Sequence, residues 1–239
     1  MKQIKTILFD LDGTLLPVDM EKFLEIYFEE MGKHFAEHIE PKLLTKSVWE
    51  ATGDLIDNTE NRTNSEVFWE TFRQMTGDNP ELTEEKFLPF YEGGYQKAKA
   101  ATGTSKAMQK AVSLLLENGY QIIVATNPLY PENAVHDRIR WAGFNPNDFS
   151  YISSLEKNCH CKPHAAFYEE IVNHLSLDPK SCMMVGNDAK EDMAAKKIGM
   201  TTYLVVDYLI KHDNEPIEAD HMGSAEDFLE FVQSANQDS

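Results

Sequence analysis

The sequence predicts an α/β fold: a mainly parallel sheet with helices on both faces, carrying a smaller all-helical unit inserted after the first strand. Three observations predict it. Apolar runs at Ile7–Phe9, 121–125, 182–185 and 202–206 have the length and unbroken hydrophobicity of strands buried on both faces. Helical patterns separate the later runs, which is the alternation of a parallel sheet built with right-handed crossovers. Between residues 17 and 100 the periodicity is helical throughout, with no convincing strand.

Each element has a local reason. The first strand stops at Asp10-Leu-Asp12-Gly-Thr14, where Gly13 permits a sharp turn and the Thr14 hydroxyl can tie it. After Pro17, a helix over 20–35 is expected from Phe23, Leu24, Tyr27, Phe28 and Met31 at three- and four-residue spacings. Pro41 opens a second, with Leu43, Leu44 and Val48 on one face. Asn64 or Ser65 is the expected cap of a third, which carries Phe68, Trp69, Phe72 and Met75 and stops at Gly77. Phe68, Trp69 and Phe72 are expected in the core of the insertion. Thr83 caps a fourth, interrupted by Pro89 and Gly93-Gly94.

From Ser105 strand and helix alternate. A helix over 106–117 ends at Asn118-Gly119, the strand over 121–125 follows, and Pro131 starts a helix that stops at Gly143. A short strand near Tyr151-Ile152 leads to Lys162-Pro163 and a helix of about 164–175. The strand over 182–185 ends at Gly186-Asn187-Asp188, and a helix to Ile198 leads into the strand over 202–206. Ser224 to Asp227 forms a capping box for a last helix, with 233–239 expected as a frayed tail. The pattern is Rossmann-like, with the core formed by 1–16 and 101–239 and the helical unit by 17–100.

Composition narrows the function. The chain has 239 residues and a formal charge of −18, from 40 acids against 22 Lys plus Arg. A phosphate backbone is bound through basic patches, so no nucleic-acid partner is expected. No apolar run approaches the roughly 18 residues of a membrane span, so no membrane partner is expected either. Cys159, Cys161 and Cys182 cannot all pair with one another, and the start Met-Lys-Gln-Ile-Lys runs straight into a strand without a signal-peptide core. The expectation is a reduced, cytoplasmic protein.

Four strand ends carry polar residues: Asp10 and Asp12; Thr126 and Asn127; Lys162; and Asn187 with Asp188. In a parallel sheet these ends share one edge, where such folds bind their ligands. Two carboxylates brought together there repel unless a cation lies between them or one carries a proton.

In these four motifs, taken in this order, the chain resembles the haloacid dehalogenase superfamily of hydrolases. The matching residues are Asp10-Leu-Asp12-Gly-Thr14, Val124-Ala-Thr126-Asn127, Lys162-Pro163, and Val185-Gly186-Asn187-Asp188 with Asp192, and the insertion resembles the family's helical cap. The resemblance implies a phosphatase acting on a small phosphorylated metabolite with Mg²⁺ as cofactor. Asp10 would be the nucleophile and form an aspartyl phosphate, and Asp12 would protonate the leaving oxygen and later take a proton from water. Thr126, with Asn127 nearby, would hold a phosphoryl oxygen, and Lys162 would offset charge on the phosphoryl group and Asp10. The metal would be held by the Asp10 carboxylate, the Asp12 carbonyl and a fourth-motif oxygen. There the sequence departs from the commoner Gly-Asp, because Asn187 follows the glycine. Either Asn187 supplies a neutral oxygen or Asp188 is the charged ligand with Asn187 orienting it; an anion suits a hard dication better. Asp192 would act through water or by holding Lys162.

Other readings stay open within the same resemblance. A phosphoryl-transferring mutase would keep the aspartyl phosphate long-lived, and a phosphonate hydrolase would need a Schiff-base lysine such as Lys22 or Lys46. A dehalogenase is disfavoured because Asp12 is present. A non-catalytic sensor of a phosphorylated ligand would bind without turnover. Cys159-His160-Cys161 with His164 is not explained by the resemblance. Its tight spacing lacks the usual gap of a zinc site, so reduced loop cysteines are expected.

Overall fold

In the computed structural model of the protein, which describes residues 3–212 and 216–237, the first apolar run is strand β1 (Thr6–Phe9). It pairs in parallel on both sides, Phe9 lying opposite Val124 of β2 (Gln121–Val124) and opposite Val185 of β4 (Cys182–Gly186). With β3 (Tyr151–Ile152), β5 (Thr201–Val205) and β6 (His221–Gly223) the sheet is six-stranded and wholly parallel, in the order β3-β2-β1-β4-β5-β6. The order reverses beside β1, which opens a crevice beyond its carboxyl end. The sequence pattern does not announce β6. It is three residues long, its side chains are largely exposed, and only backbone pairing with β5 makes it a strand.

Alternation along β1 shows why both faces need cover. Ile7 and Phe9 pack with Met108 and Val112 of α5 (Lys106–Glu117) and Phe228 and Val232 of α8 (Ala225–Gln237). Leu8 points the other way, to Phe167 and Ile171 of α7 (Ala165–His174). The expected box at the start of α8 forms, Asp227 N donating to Ser224 Oγ at 3.1 Å and Ser224 N to Asp227 Oδ2 at 2.8 Å. Residues 233–237 continue α8 and are not a tail; 238–239 lie outside the described residues. The segment expected as a helix to Ile198 is a 3-10 stretch, Asp192–Ile198, closed by Gly199.

Between β1 and α5 lie α1 (Met20–His34), α2 (Pro41–Ile56), α3 (Asn64–Thr76), α4 (Glu84–Glu92) and a 3-10 stretch, Gly94–Ala101. Asp19 caps α1 by accepting from Lys22 N at 3.1 Å, and Glu40 caps α2 by accepting from Leu43 N at 2.9 Å. The cap of α3 is Thr63, reciprocated by Glu66, rather than Asn64 or Ser65. Asn64 is instead fully buried, and its amide donates to Pro128 O at 3.3 Å and Cys161 Sγ at 3.4 Å. α4 runs through Pro89: the ring removes one helical hydrogen bond, while buried Phe87 and Phe90 on either side keep the helix in place.

The chain enters and leaves this helical segment side by side. Val18 and Thr102 form an antiparallel bridge, and Gly103 N donates to Pro17 O at 2.8 Å. A second attachment is made by α3, where Asn64 N donates to Asn158 O at 2.8 Å and Ser65 N to Leu155 O at 2.9 Å. Among the described residues no helix is long and apolar enough to cross a membrane.

Candidate active site

Strand register brings the four polar strand ends together. Asp10 is the first residue beyond β1, its N–H donating to Val185 O at 2.8 Å, and Ala125 N donates to Phe9 O at 2.7 Å. The loop after Asp10 closes on itself: Leu16 N donates to Leu11 O and Gly13 N to Leu16 O, each at 2.8 Å. Gly13 has φ +84°, and a Cβ there would stand 2.4 Å from Asn187 Nδ2, so only glycine fits. Thr14 does not tie its own turn. Its hydroxyl donates to Asn187 Oδ1 at 3.0 Å, and Asn187 Nδ2 donates in turn to Tyr208 O at 2.7 Å. The Asn187 amide is thus spent on joining two loops.

Lys162 lies beneath Asp10, 1% exposed, with Nζ 2.7 Å from Asp10 Oδ1 and 2.7 Å from Asp192 Oδ1. Asp192 therefore holds Lys162 directly, and its other oxygen accepts from Asp188 N at 2.8 Å. Gly186 makes room for this carboxylate: a Cβ there would lie 2.1 Å from Asp192 Oδ2. Asn127 Oδ1 accepts from Lys162 N at 3.2 Å while its Nδ2 donates to Glu191 Oε2 at 3.1 Å, so its amide braces the second and third motifs. Thr126 is buried; its carbonyl accepts from Ser153 Oγ at 2.6 Å and its side chain lines the crevice. Asp188 Oδ1 accepts from Lys190 N and Glu191 N at 2.8 Å each and lies 2.9 Å from His212 Nε2.

The electrostatics of the crevice follow from these contacts. Burial pushes the Asp10 carboxyl up to about 8, against the pull of Lys162 and with help from Asp192 and Asp12. Burial works to lower the pKa of Lys162, but Asp10 and Asp192 outweigh it and hold the ammonium well above its usual range. Glu191 is also pushed up by burial, to about 6.

Several residues at this site carry no motif. Arg138, on α6 (Glu132–Trp141), is 1% exposed and ion-paired with Asp12 Oδ2, with its guanidinium over the Tyr130 ring at 4.3 Å from the centroid. The signal for it was present: an arginine in the apolar stripe Ala134, Val135, Ile139, Ala142. Glu191 and His212 offered none. Above the acids the crevice widens into a cavity of about 330 Å³ reaching the inserted helices. Phe72 and Phe68 are core, as expected, with Trp69 packed against them, and Phe68 and Trp69 also line the cavity. Lys22 and Lys46, the lysines considered for Schiff-base chemistry, are exposed and lie outside its wall.

The cysteine cluster has a structural use. Asn58 Nδ2 donates to Cys159 O at 2.8 Å, Asn64 Nδ2 to Cys161 Sγ at 3.4 Å, and the Cys161 thiol to Leu55 O at 3.7 Å, so this loop is where α2 and α3 rest on the sheet-bearing part. His160 Nδ1 faces Glu170 at 3.3 Å.

The oxygen donors of the crevice suit a divalent cation. Asp10, Asp12, Asp188, Glu191 and Asp192 share one wall with Arg138 and, through Asp10, Lys162, and Asp12 Oδ1 is buried without a partner. Crowded carboxylates with a raised Asp10 fit a hard dication bound through oxygen. Among the described residues no three His, Cys, Asp or Glu side chains gather as a metal cluster. A site made of two carboxylates, a backbone carbonyl and ligand oxygens does not require three.

The sequence model of the haloacid dehalogenase-like hydrolases matches residues 4–199. The chain is 24% identical over 212 residues to the pyrophosphatase PpaX of Halalkalibacterium halodurans, covering 89% of this chain and 87% of that protein. Its fold is similar to a predicted phosphoglycolate phosphatase from Haemophilus somnus, with a TM-score of 0.57, 20% identity and coverage of 98% and 100% of the two chains. It is also similar to the L-2-haloacid dehalogenase from Xanthobacter autotrophicus, with a TM-score of 0.60, 15% identity and coverage of 96% and 98%.

Proposed function

The chain belongs to the haloacid dehalogenase-like hydrolases, and on that premise we propose that it is a Mg²⁺-dependent phosphomonoester hydrolase acting on a small phosphorylated metabolite. The observation that carries this reading is the buried chain Asp10, Lys162, Asp192, which sets a carboxylate at the sheet-edge end of the cavity with an ammonium bonded beneath it, beside a second carboxylate, Asp12. A carboxylate nucleophile needs such a cation to approach an anionic phosphate.

In the proposed reaction an oxygen of Asp10 attacks phosphorus while the bond from phosphorus to the leaving alcohol breaks, and Asp12 gives that oxygen its proton. Water then attacks the aspartyl phosphate, Asp12 takes a proton from it, and Asp10 is released with inorganic phosphate. Arg138 holds the Asp12 carboxyl in place for both proton transfers. Thr126 and Lys162 hold the phosphoryl oxygens. Asp192 keeps Lys162 aimed at Asp10, and Asn127 fixes the Lys162 backbone. Asp10, the Asp12 carbonyl and Asp188 would hold Mg²⁺, with Asn187 fastening the loops around them; Mg²⁺ would screen the repulsion between Asp10 and the phosphate.

Residues 1–16 and 101–239 would form the catalytic core and 17–100 a cap that closes over the crevice and excludes water. The paired crossings at Val18 and Thr102 suit a hinge between them. Three free thiols accord with a cytoplasmic setting. The test is phosphate release from a generic aryl phosphate with and without Mg²⁺, in the natural protein and in Asp10→Asn and Asp12→Asn. Metal-dependent turnover lost in both variants supports the reading; ligand binding without any turnover overturns it in favour of a sensor.

A further inference from the structure

The cavity over Asp10 has two chemically different ends. At the sheet edge its wall is carboxylates, Thr126 and Asn127. Between the inserted helices it is hydrocarbon: Leu24 and Phe28 from α1, Trp49 from α2, Phe68 and Trp69 from α3, and Phe87 from α4. Polar groups in that part are few, and several are engaged with one another. The Tyr27 and Tyr91 hydroxyls bond to each other at 3.3 Å, and Thr52 Oγ1 donates to Val48 O at 2.8 Å. Trp69 Nε1, buried without a partner, offers a single donor.

Charge points the same way. Among the described residues the wall holds one side-chain cation, Arg138, and Asp12 neutralises it. Its other ionisable side chains outside the strand ends and the tyrosines are acids, Glu84 and Glu156. A leaving group that is itself a phosphate would meet no uncommitted cation there. A polyol would find few partners there, Trp69 Nε1, Tyr130 and the two carboxylates, and most of its hydroxyls would give up water against hydrocarbon.

Resting on the phosphohydrolase reading above, we propose that the substrate is the phosphate monoester of an apolar alcohol of about the size of one ring, its phosphate on Asp10 and its hydrocarbon among Phe28, Trp49, Phe68 and Phe87. At about 330 Å³ the cavity is at the small end of ligand sites, enough for a phosphate and one ring. The chain then differs in substrate from the pyrophosphatase it is similar to in sequence, because the leaving-group side is apolar.

The experiment compares kcat/KM with Mg²⁺ for 2-phenylethyl phosphate, glycerol 3-phosphate, glucose 6-phosphate and pyrophosphate. The first three are esters of primary alcohols, so leaving-group chemistry is alike and the pocket decides. The expected result is that 2-phenylethyl phosphate leads the others by about a hundredfold. Trp49 is 51% exposed, so Trp49→Ala should fold, and it should lower the ratio of kcat/KM for 2-phenylethyl phosphate over acetyl phosphate about tenfold. Turnover in which glycerol 3-phosphate, glucose 6-phosphate or pyrophosphate equals or exceeds 2-phenylethyl phosphate overturns the apolar substrate and leaves the hydrolase reading standing. No turnover of any of these, acetyl phosphate included, removes both.

Discussion

The carboxylate of Asp12 is ion-paired with the guanidinium of Arg138, although 126 residues separate them and only α6 brings them together. Arg138 is buried and its charge has no other acid partner among the described residues. Truncating one member of a buried pair leaves the other charge uncompensated. Arg138→Met should therefore destabilise the protein by about 3–5 kcal/mol in urea unfolding. Adding Asp12→Asn should restore part of that loss. Because Asp12 would also lose its orientation, kcat for the single variant should fall by as much as about a hundredfold.

Gly186→Ala tests the bracing of Lys162. The new methyl would overlap the Asp192 carboxylate, which holds both Lys162 Nζ and Asp188 N. Loss of stability of about 1–3 kcal/mol is expected from overpacking, measured by thermal unfolding. Phosphate release should fall more steeply than stability, since Lys162 and Asp188 move together.

Asn187 and Asp188 separate by variant. Asn187→Asp places a carboxylate against the Tyr208 carbonyl in place of a donor, so it should cost about 1–3 kcal/mol of stability and bring no gain in Mg²⁺ affinity. Asp188→Asn should weaken Mg²⁺ binding at least tenfold by calorimetry. A tighter site in Asn187→Asp would assign the ligand to position 187 instead.

Metal binding should depend on pH through Asp10. Its carboxyl is pushed up from 3.8 to about 8, chiefly by burial. The folded metal-free protein thus keeps a proton that the unfolded chain sheds near pH 4, and its stability contribution from this group falls as pH rises from there towards 8. Mg²⁺ must displace that proton. Apparent affinity should rise by up to about tenfold per pH unit between 6 and 8 and level off above. Calorimetry on Asp10→Asn should show that slope gone.

The thiols should be quiet. Burial pushes Cys161 up to about 12 and Cys182 up to about 11, while half-buried Cys159, also raised by burial, is the accessible one. At pH 8 an aromatic disulfide reagent should titrate Cys159 alone and slowly in the native protein, and all three cysteines in denaturant. Stoichiometric zinc in purified protein would contradict this account of the loop.

Much of the fold was legible in the sequence because its signals are local. An apolar run that must be covered on both faces, as at Ile7 to Phe9, declares a central parallel strand, and strand ends in such a sheet share one edge wherever they lie in the chain. Asp10, Asp12, Thr126, Lys162 and Asp188 could therefore be gathered without coordinates. Tertiary structure decided what depends on direction and distance between remote segments. The Asp192 carboxylate reaches Lys162 through the space left by Gly186, and the Asn187 amide is used up by Thr14 and Tyr208. Phe68 and Trp69 line the cavity while Phe72 fills the core. Arg138 shows the limit most clearly: the apolar stripe around it fixes that its face turns inward, but a buried cation needs an anion, and only the packing of α6 against the loop after β1 supplies Asp12.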